Sequence, residues 1–103
     1  MAVMDIQISA RRAGTVSVSE GVLRAQQIIE ASGLKHILHP MGTCVEGAPV
    51  QLYELASRIH AALEEMGFDR VGIAIKLDDR RDKPQSMADK LARIAELSGE
   101  KKP

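Results

Sequence analysis

The chain has 103 residues, 45% of them apolar and 27% charged, which is enough for one soluble domain around an aliphatic core. Fourteen basic and fourteen acidic residues cancel, so no overall positive field is available to hold a nucleic acid. Cys44 is the sole cysteine, so no intrachain disulfide can form and a reducing compartment is expected.

No apolar run approaches the roughly 20 residues that cross a bilayer. Asp5 follows the N-terminus too closely for the basic and apolar regions of a secretion signal. The expectation is an unexported, cytoplasmic domain over residues 1–99 with a frayed tail at 100–103.

In chain order, Val3 to Ala10 alternate: Met4, Ile6, Ile8 and Ala10 on one side, Asp5, Gln7 and Ser9 on the other. A period of two marks a half-buried strand. Ser17-Val18-Ser19-Glu20 fits a capping box opening a helix. Its stripe is Val18, Val22, Ala25 and Ile29, widened by Leu23 and Ile28, and Gly33 stops it.

Leu34 to His39 is a short strand cut at Pro40, which has no amide hydrogen to give to a ladder. Met41 to Gly47 follows after a tight connection, so the two should be antiparallel neighbours. Ala48-Pro49 places proline in the first turn of a second helix. Leu52, Leu55, Ile59, Ala62, Leu63 and Met66 form its stripe, and Gly67 closes it. Val71, Ile73, Ile75 and Leu77 then alternate as a fourth strand. After a charged turn over residues 78–84, Ser86 can cap a last helix bearing Met87, Leu91, Ile94 and Leu97, ended by Gly99.

Strand, helix, strand, strand, helix, strand is the order of the α+β, ferredoxin-like βαββαβ sandwich, here with an additional C-terminal helix. In that fold the first and third strands are central and both helices cover one face. The other face would carry Asp5, Gln7, Ser9, Gly72 and Ala74. That set is too polar for an ordinary core yet small enough for close approach. A symmetric oligomer is the expected way to bury it, with the last helix supporting association.

The densest polar stretch is Met41-Gly42-Thr43-Cys44-Val45-Glu46. Metal binding is not expected. His36 and His39 are three apart on a strand and point to opposite faces, and no clustered ligand set accompanies Cys44 or His60. Cys44 reads as packing.

Nucleophilic catalysis by Cys44 or Ser17 with His60 lacks a supporting signature. A small hydrolase of the acylphosphatase type, using Arg11, Arg12 and His60, is the enzymatic alternative, and a structural or regulatory oligomer without ligand is the other. The run from Asp78 to Asp82 reads equally as a self-neutralising turn or as subunit pairing.

A binding strand suits the residues better. Thr43 or Ser17 could bond ring nitrogens of a planar, amine-bearing heterocycle, Glu46 could accept from an exocyclic amine, and Gly42 would let the ring lie flat.

Four segments carry a resemblance: Ser17-Val18-Ser19-Glu20; Pro40-Met41-Gly42-Thr43 with Glu46-Gly47; His60 with Met66-Gly67; and Arg70-Val71 through Ile75 to Arg81. In this order and spacing the chain resembles the thiamine-binding protein family along nearly its whole length. The resemblance implies a ferredoxin-like fold and homodimers joined through their sheets, commonly paired into homotetramers. It also implies no enzymatic activity, no cofactor, and a cytoplasmic role in carrying or sensing thiamine (vitamin B1) or its hydroxymethylpyrimidine moiety.

The implied ligand site is Ser17, Ser19, Met41, Gly42, Thr43 and Glu46, between the sheet and a partner subunit. His60, Lys76, Asp78, Asp79, Arg80 and Arg81 match positions that would serve ligand or interface. Relatives often carry an aromatic where this chain has Gly21. With so few aromatics, a cation–π cradle for the thiazolium is hard to build, which points recognition to the pyrimidine or to weak affinity.

Overall fold

Alternation along the first strand carries directly into the architecture. In the computed structural model, which describes residues 1–13, 19–83 and 85–99, β1 (Ala2–Arg11) buries Ala2, Met4, Ile6 and Ala10. Asp5, Gln7 and Ser9 take the opposite face, as a period of two requires.

The other strands are β2 (His36–His39), β3 (Gly42–Gly47) and β4 (Arg70–Asp78), and the helices are α1 (Ser19–Ala31), α2 (Pro49–Glu65) and α3 (Met87–Ser98). The sheet order is β2-β3-β1-β4, every pair antiparallel, with β1 and β3 in the middle. This is the expected ferredoxin-like arrangement. No helix among the described residues is long and apolar enough to cross a membrane.

α1 and α2 lie on one face. α2 starts at Pro49, with Gln51 Oε1 accepting from the Ala48 amide at 3.0 Å, and buries Leu52, Leu55, Ala56, Ile59 and Leu63. These close over Met4, Ile6 and Val45 of the central strands and Ile29 of α1. α1 buries less than its stripe suggested: Ala25 and Ile29 are inside, whereas Val22 and Leu23 are exposed. Ser17, and with it the predicted capping box, lies outside the described residues. The Glu20 carboxylate pairs with Arg12 at 2.6 Å.

β1 outruns its partner on one side. Its ladder with β4 continues to Arg11↔Arg70, but its ladder with β3 ends at Ile6↔Thr43. The β2–β3 hairpin turns there, through the two residues Pro40-Met41. Gly42 closes the hairpin against β1 so tightly that a Cβ would lie 2.5 Å from the Ile6 carbonyl oxygen. Only glycine fits that approach. Past the turn, the second half of β1 is left beside α1 with a gap between them.

α3 opens with the expected cap. Ser86 Oγ accepts from the Asp89 amide at 3.1 Å, and the Asp89 carboxylate accepts from the Ser86 amide at 3.0 Å. It closes at Gly99, which adopts the left-handed conformation with φ 77°. Its first turn is anchored: Met87 is buried, its amide donates to Glu46 Oε1 at 2.8 Å, and Lys90 pairs with Asp78 at 2.6 Å.

Beyond that turn the helix stands off the body, with Leu91, Ile94 and Leu97 each 59–66% exposed. The radius of gyration is 15.5 Å, against about 13 Å for a compact chain of this length. α3 does not fold back on its own subunit.

Candidate functional site

The gap left by the short hairpin is a cleft of about 200 Å³. Ile6 and Ile8 of β1 form its floor, Val22, Ala25, Gln26 and Ile29 of α1 one wall, and the hairpin from Leu38 to Thr43 the other. Thr43 is buried at its base, and its hydroxyl donates to Gln26 Oε1 at 3.0 Å. The hydroxyl oxygen keeps acceptor capacity and the Gln26 amide nitrogen carries two donors. The pair therefore presents an acceptor and a donor side by side against apolar walls. Met41, 71% exposed, and Leu38 rim the mouth.

The sheet divides the predicted ligand residues. Met41, Gly42 and Thr43 meet at this cleft. Glu46 does not join them: three residues on from Thr43, it faces the other side of the sheet, 7% exposed, and holds the start of α3 through the Met87 amide. The single wall expected from Met41 to Glu46 is thus two walls on two faces. Ser19 begins α1, and Ser17 lies outside the described residues.

His60 sits on the exposed side of α2, where Nδ1 is 3.3 Å from Glu64 Oε1. Lys76 stands opposite Asp5 on the open face. Asp78 pairs with Lys90, Arg80 with Asp82 at 3.0 Å, and Arg81 lies 4.0 Å from Asp79. Lys90 beside Asp78 and Arg80 beside Asp82 hold both carboxyl groups below the usual range. Asp78, Asp79 and Asp82 thus each have a basic partner within the chain.

Gln26 is the cleft residue that sequence reading missed. Its signal was a polar side chain inside the stripe of Val22, Ala25 and Ile29, where i to i+4 spacing puts it on the apolar face. Gly21 also changes meaning. A Cβ there would meet Ala10 Cβ at 3.0 Å and the Phe68 ring at 3.4 Å, so the position faces the core and would not supply a ring to the cleft. Arg12, named above for the hydrolase alternative, is committed elsewhere. It bonds Glu20 and the Met66 carbonyl and lies 4.3 Å over the Phe68 ring.

Cys44 is on the open face rather than packed in the core. It is half-buried, with Sγ 3.6 Å from Asp5 Oδ1. Burial pushes its thiol pKa up, and the charge and hydrogen bond of Asp5 add to the rise. His39 Nε2 reaches the same Asp5 oxygen at 2.8 Å. His36 points to the opposite face, Nδ1 2.9 Å from the Leu34 carbonyl. Local chelation by the two histidines is ruled out as expected, yet the sheet assembles Asp5, His39 and Cys44 from three strands.

The structure is a ferredoxin-like α+β sandwich with a cleft that sets one polar pair against apolar walls. The model of the thiamine-binding protein family matches residues 4–95, and the chain belongs to that family. It is 37% identical to UPF0045 protein YqgV of Bacillus subtilis over 98 residues, covering 91% of this chain and 94% of that protein. It is 31% identical to UPF0045 protein ECM15 of Eremothecium gossypii, covering 85% and 84%.

Among solved structures, MJ1052 of Methanocaldococcus jannaschii superposes with a TM-score of 0.81 at 30% identity, over 93% of this chain and 97% of that one. TM0486 of Thermotoga maritima, described as a candidate thiamine biosynthesis/salvage protein, superposes with a TM-score of 0.75 over 90% and 97%. At 19% identity that second likeness carries the fold alone.

Proposed function

We propose that this protein binds the aminopyrimidine part of thiamine, without catalysing a reaction, in the cleft between α1 and the β2–β3 hairpin. The observation that carries the reading is the Thr43–Gln26 pair at the base of an otherwise apolar gap. A 4-aminopyrimidine edge offers an exocyclic N–H donor beside a ring-nitrogen acceptor. Thr43 Oγ1 accepts from the first and the Gln26 amide donates to the second, while Ile6, Ile8 and Ile29 take the ring faces.

The volume of about 200 Å³ is below the roughly 300–1,000 Å³ usual for whole-ligand pockets. One ring therefore enters and the thiazolium stays at the mouth near Met41. This reading moves the ligand from the open sheet face to the helix side. Family membership supports a thiamine-type ligand, and the commitment of Arg12 to Glu20 and Phe68 weighs against the hydrolase alternative.

The same proposal includes self-association in the cytoplasm, as a homodimer that pairs further into a homotetramer. It is supported by the projecting stripe of Leu91, Ile94 and Leu97, which a second copy would bury. Thermal shift assays test the ligand reading. Hydroxymethylpyrimidine should raise the Tm, as any ligand selective for the folded state does, and the isolated thiazole alcohol should not. A rise with the thiazole alone would overturn it.

A further inference from the structure

On the sheet face away from the cleft, Asp5, His39 and Cys44 bring one oxygen, one nitrogen and one sulfur donor within 4.8 Å of one another. We propose that these three side chains form a binding site for a thiophilic divalent cation of the zinc type, independent of the ligand cleft.

Strand register builds the site. Asp5 and Cys44 are direct cross-strand partners on β1 and β3. His39, on β2, is paired with Gly42, and because Gly42 has no side chain nothing from that position stands between the imidazole and Asp5. The His39 Nε2 to Asp5 Oδ1 distance is 2.8 Å and the Cys44 Sγ to Asp5 Oδ1 distance is 3.6 Å. Tetrahedral zinc, with bonds of about 2.0–2.3 Å, sets its donor atoms roughly 3.3–3.6 Å apart. On that geometry the histidine–aspartate contact must open by about half an ångström, and the His39–Cys44 pair, within 4.8 Å, must come to the same spacing.

The donor set selects the metal class. A thiolate with an imidazole and a single carboxylate suits zinc or cobalt, whereas magnesium and calcium require oxygen ligands throughout. Three protein ligands leave a fourth position for water, as in open zinc sites.

Metal entry displaces the thiol proton, and the single imidazole proton, which faces Asp5 from Nε2, moves to Nδ1 so that Nε2 can bind the cation. A proton on Nδ1 ends its acceptance of the Met41 amide at 3.3 Å. That amide is in an exposed turn where water can replace the ring. Lys76, opposite Asp5 on β4, opposes the cation's charge and keeps the affinity modest.

Cobalt titration of the chelator-treated full chain tests the site. Wild type should take up one Co²⁺ per chain, with the near-ultraviolet thiolate-to-cobalt band and the intense visible bands of tetrahedral coordination. Cys44→Ser should lose the thiolate band. His39→Gln and Asp5→Asn should weaken binding by about a hundredfold or more, since even outer-shell losses cost about 10–100-fold.

His36→Gln, on the opposite face, should match wild type, and circular dichroism of the metal-free variants checks that each is folded. The proposal is overturned if folded wild type shows no thiolate band. It is equally overturned if Cys44→Ser keeps the band or if His36→Gln weakens binding as much as His39→Gln.

Discussion

The Thr43 hydroxyl donates to the Gln26 side-chain carbonyl across 3.0 Å, tying β3 to α1 at the base of the cleft. Neither group is spent by that bond, because each retains hydrogen-bonding capacity toward a ligand. Thr43→Val removes the acceptor and Gln26→Leu the donor. Each should weaken hydroxymethylpyrimidine binding by roughly 1–3 kcal/mol, the cost of leaving a buried partner unpaired. Calorimetry on the two single variants and the double variant checks this, and the double should cost less than the sum because the two groups act together.

Glu46 separates this site from the relatives' pattern as first read. Its carboxylate receives the Met87 amide at 2.8 Å in a buried setting, so Glu46→Ala should cost about 1–3 kcal/mol of stability by stranding that donor. Ligand affinity should be unaltered. Urea unfolding and calorimetry on the same sample distinguish the two effects, and a large affinity loss at full stability would return Glu46 to the ligand.

Gly42→Ala places a Cβ 2.5 Å from the Ile6 carbonyl oxygen, and backbone on both sides cannot yield easily. A destabilisation of roughly 1–3 kcal/mol is expected from such overpacking. The hairpin would be pushed off β1, so ligand affinity should fall as well. Denaturant midpoints compared with wild type provide the measurement.

The Asp89 carboxyl sits below its ordinary range because the Ser86 amide and hydroxyl stabilise its charged form. A depressed folded-state pKa contributes stability that is complete above the unfolded value of about 3.9 and is lost as pH falls through the folded value. Lys90 acts on Asp78 in the same direction. The first turn of α3 should therefore loosen on acidification below about pH 4. Hydrogen exchange at Met87 to Lys90 should report it, and Asp89→Asn should reproduce part of the loosening at neutral pH.

Replacing Leu91 and Leu97 by glutamate should shift the sedimentation profile toward smaller species without unfolding the chain. Both side chains are exposed and contribute little to the subunit's own core. An unchanged profile would remove α3 from the interface.

Much of the fold was legible because its signals are local. Period-two alternation located β1 and β4, and Pro49 and Ser86 marked two helix starts correctly. The site was only half legible. Parity along a strand already separates Thr43 from Glu46, as it separates His36 from His39, yet chemistry alone had grouped the first pair.

Gln26 pairs with Thr43 from 17 residues away, and Asp5 meets His39 and Cys44 from 34 and 39 residues away. Those encounters come from register and from a helix crossing a sheet. Spacing along the chain does not contain them. The exposure of Leu91 to Leu97 was likewise invisible to periodicity, which marks an apolar face without saying what covers it.

The most direct test of the binding reading is calorimetric titration of the wild-type chain with hydroxymethylpyrimidine, alongside Thr43→Val under the same conditions. One site per chain with affinity clearly reduced in the variant is the predicted result. No heat at millimolar ligand, or equal affinity in both proteins, would contradict it.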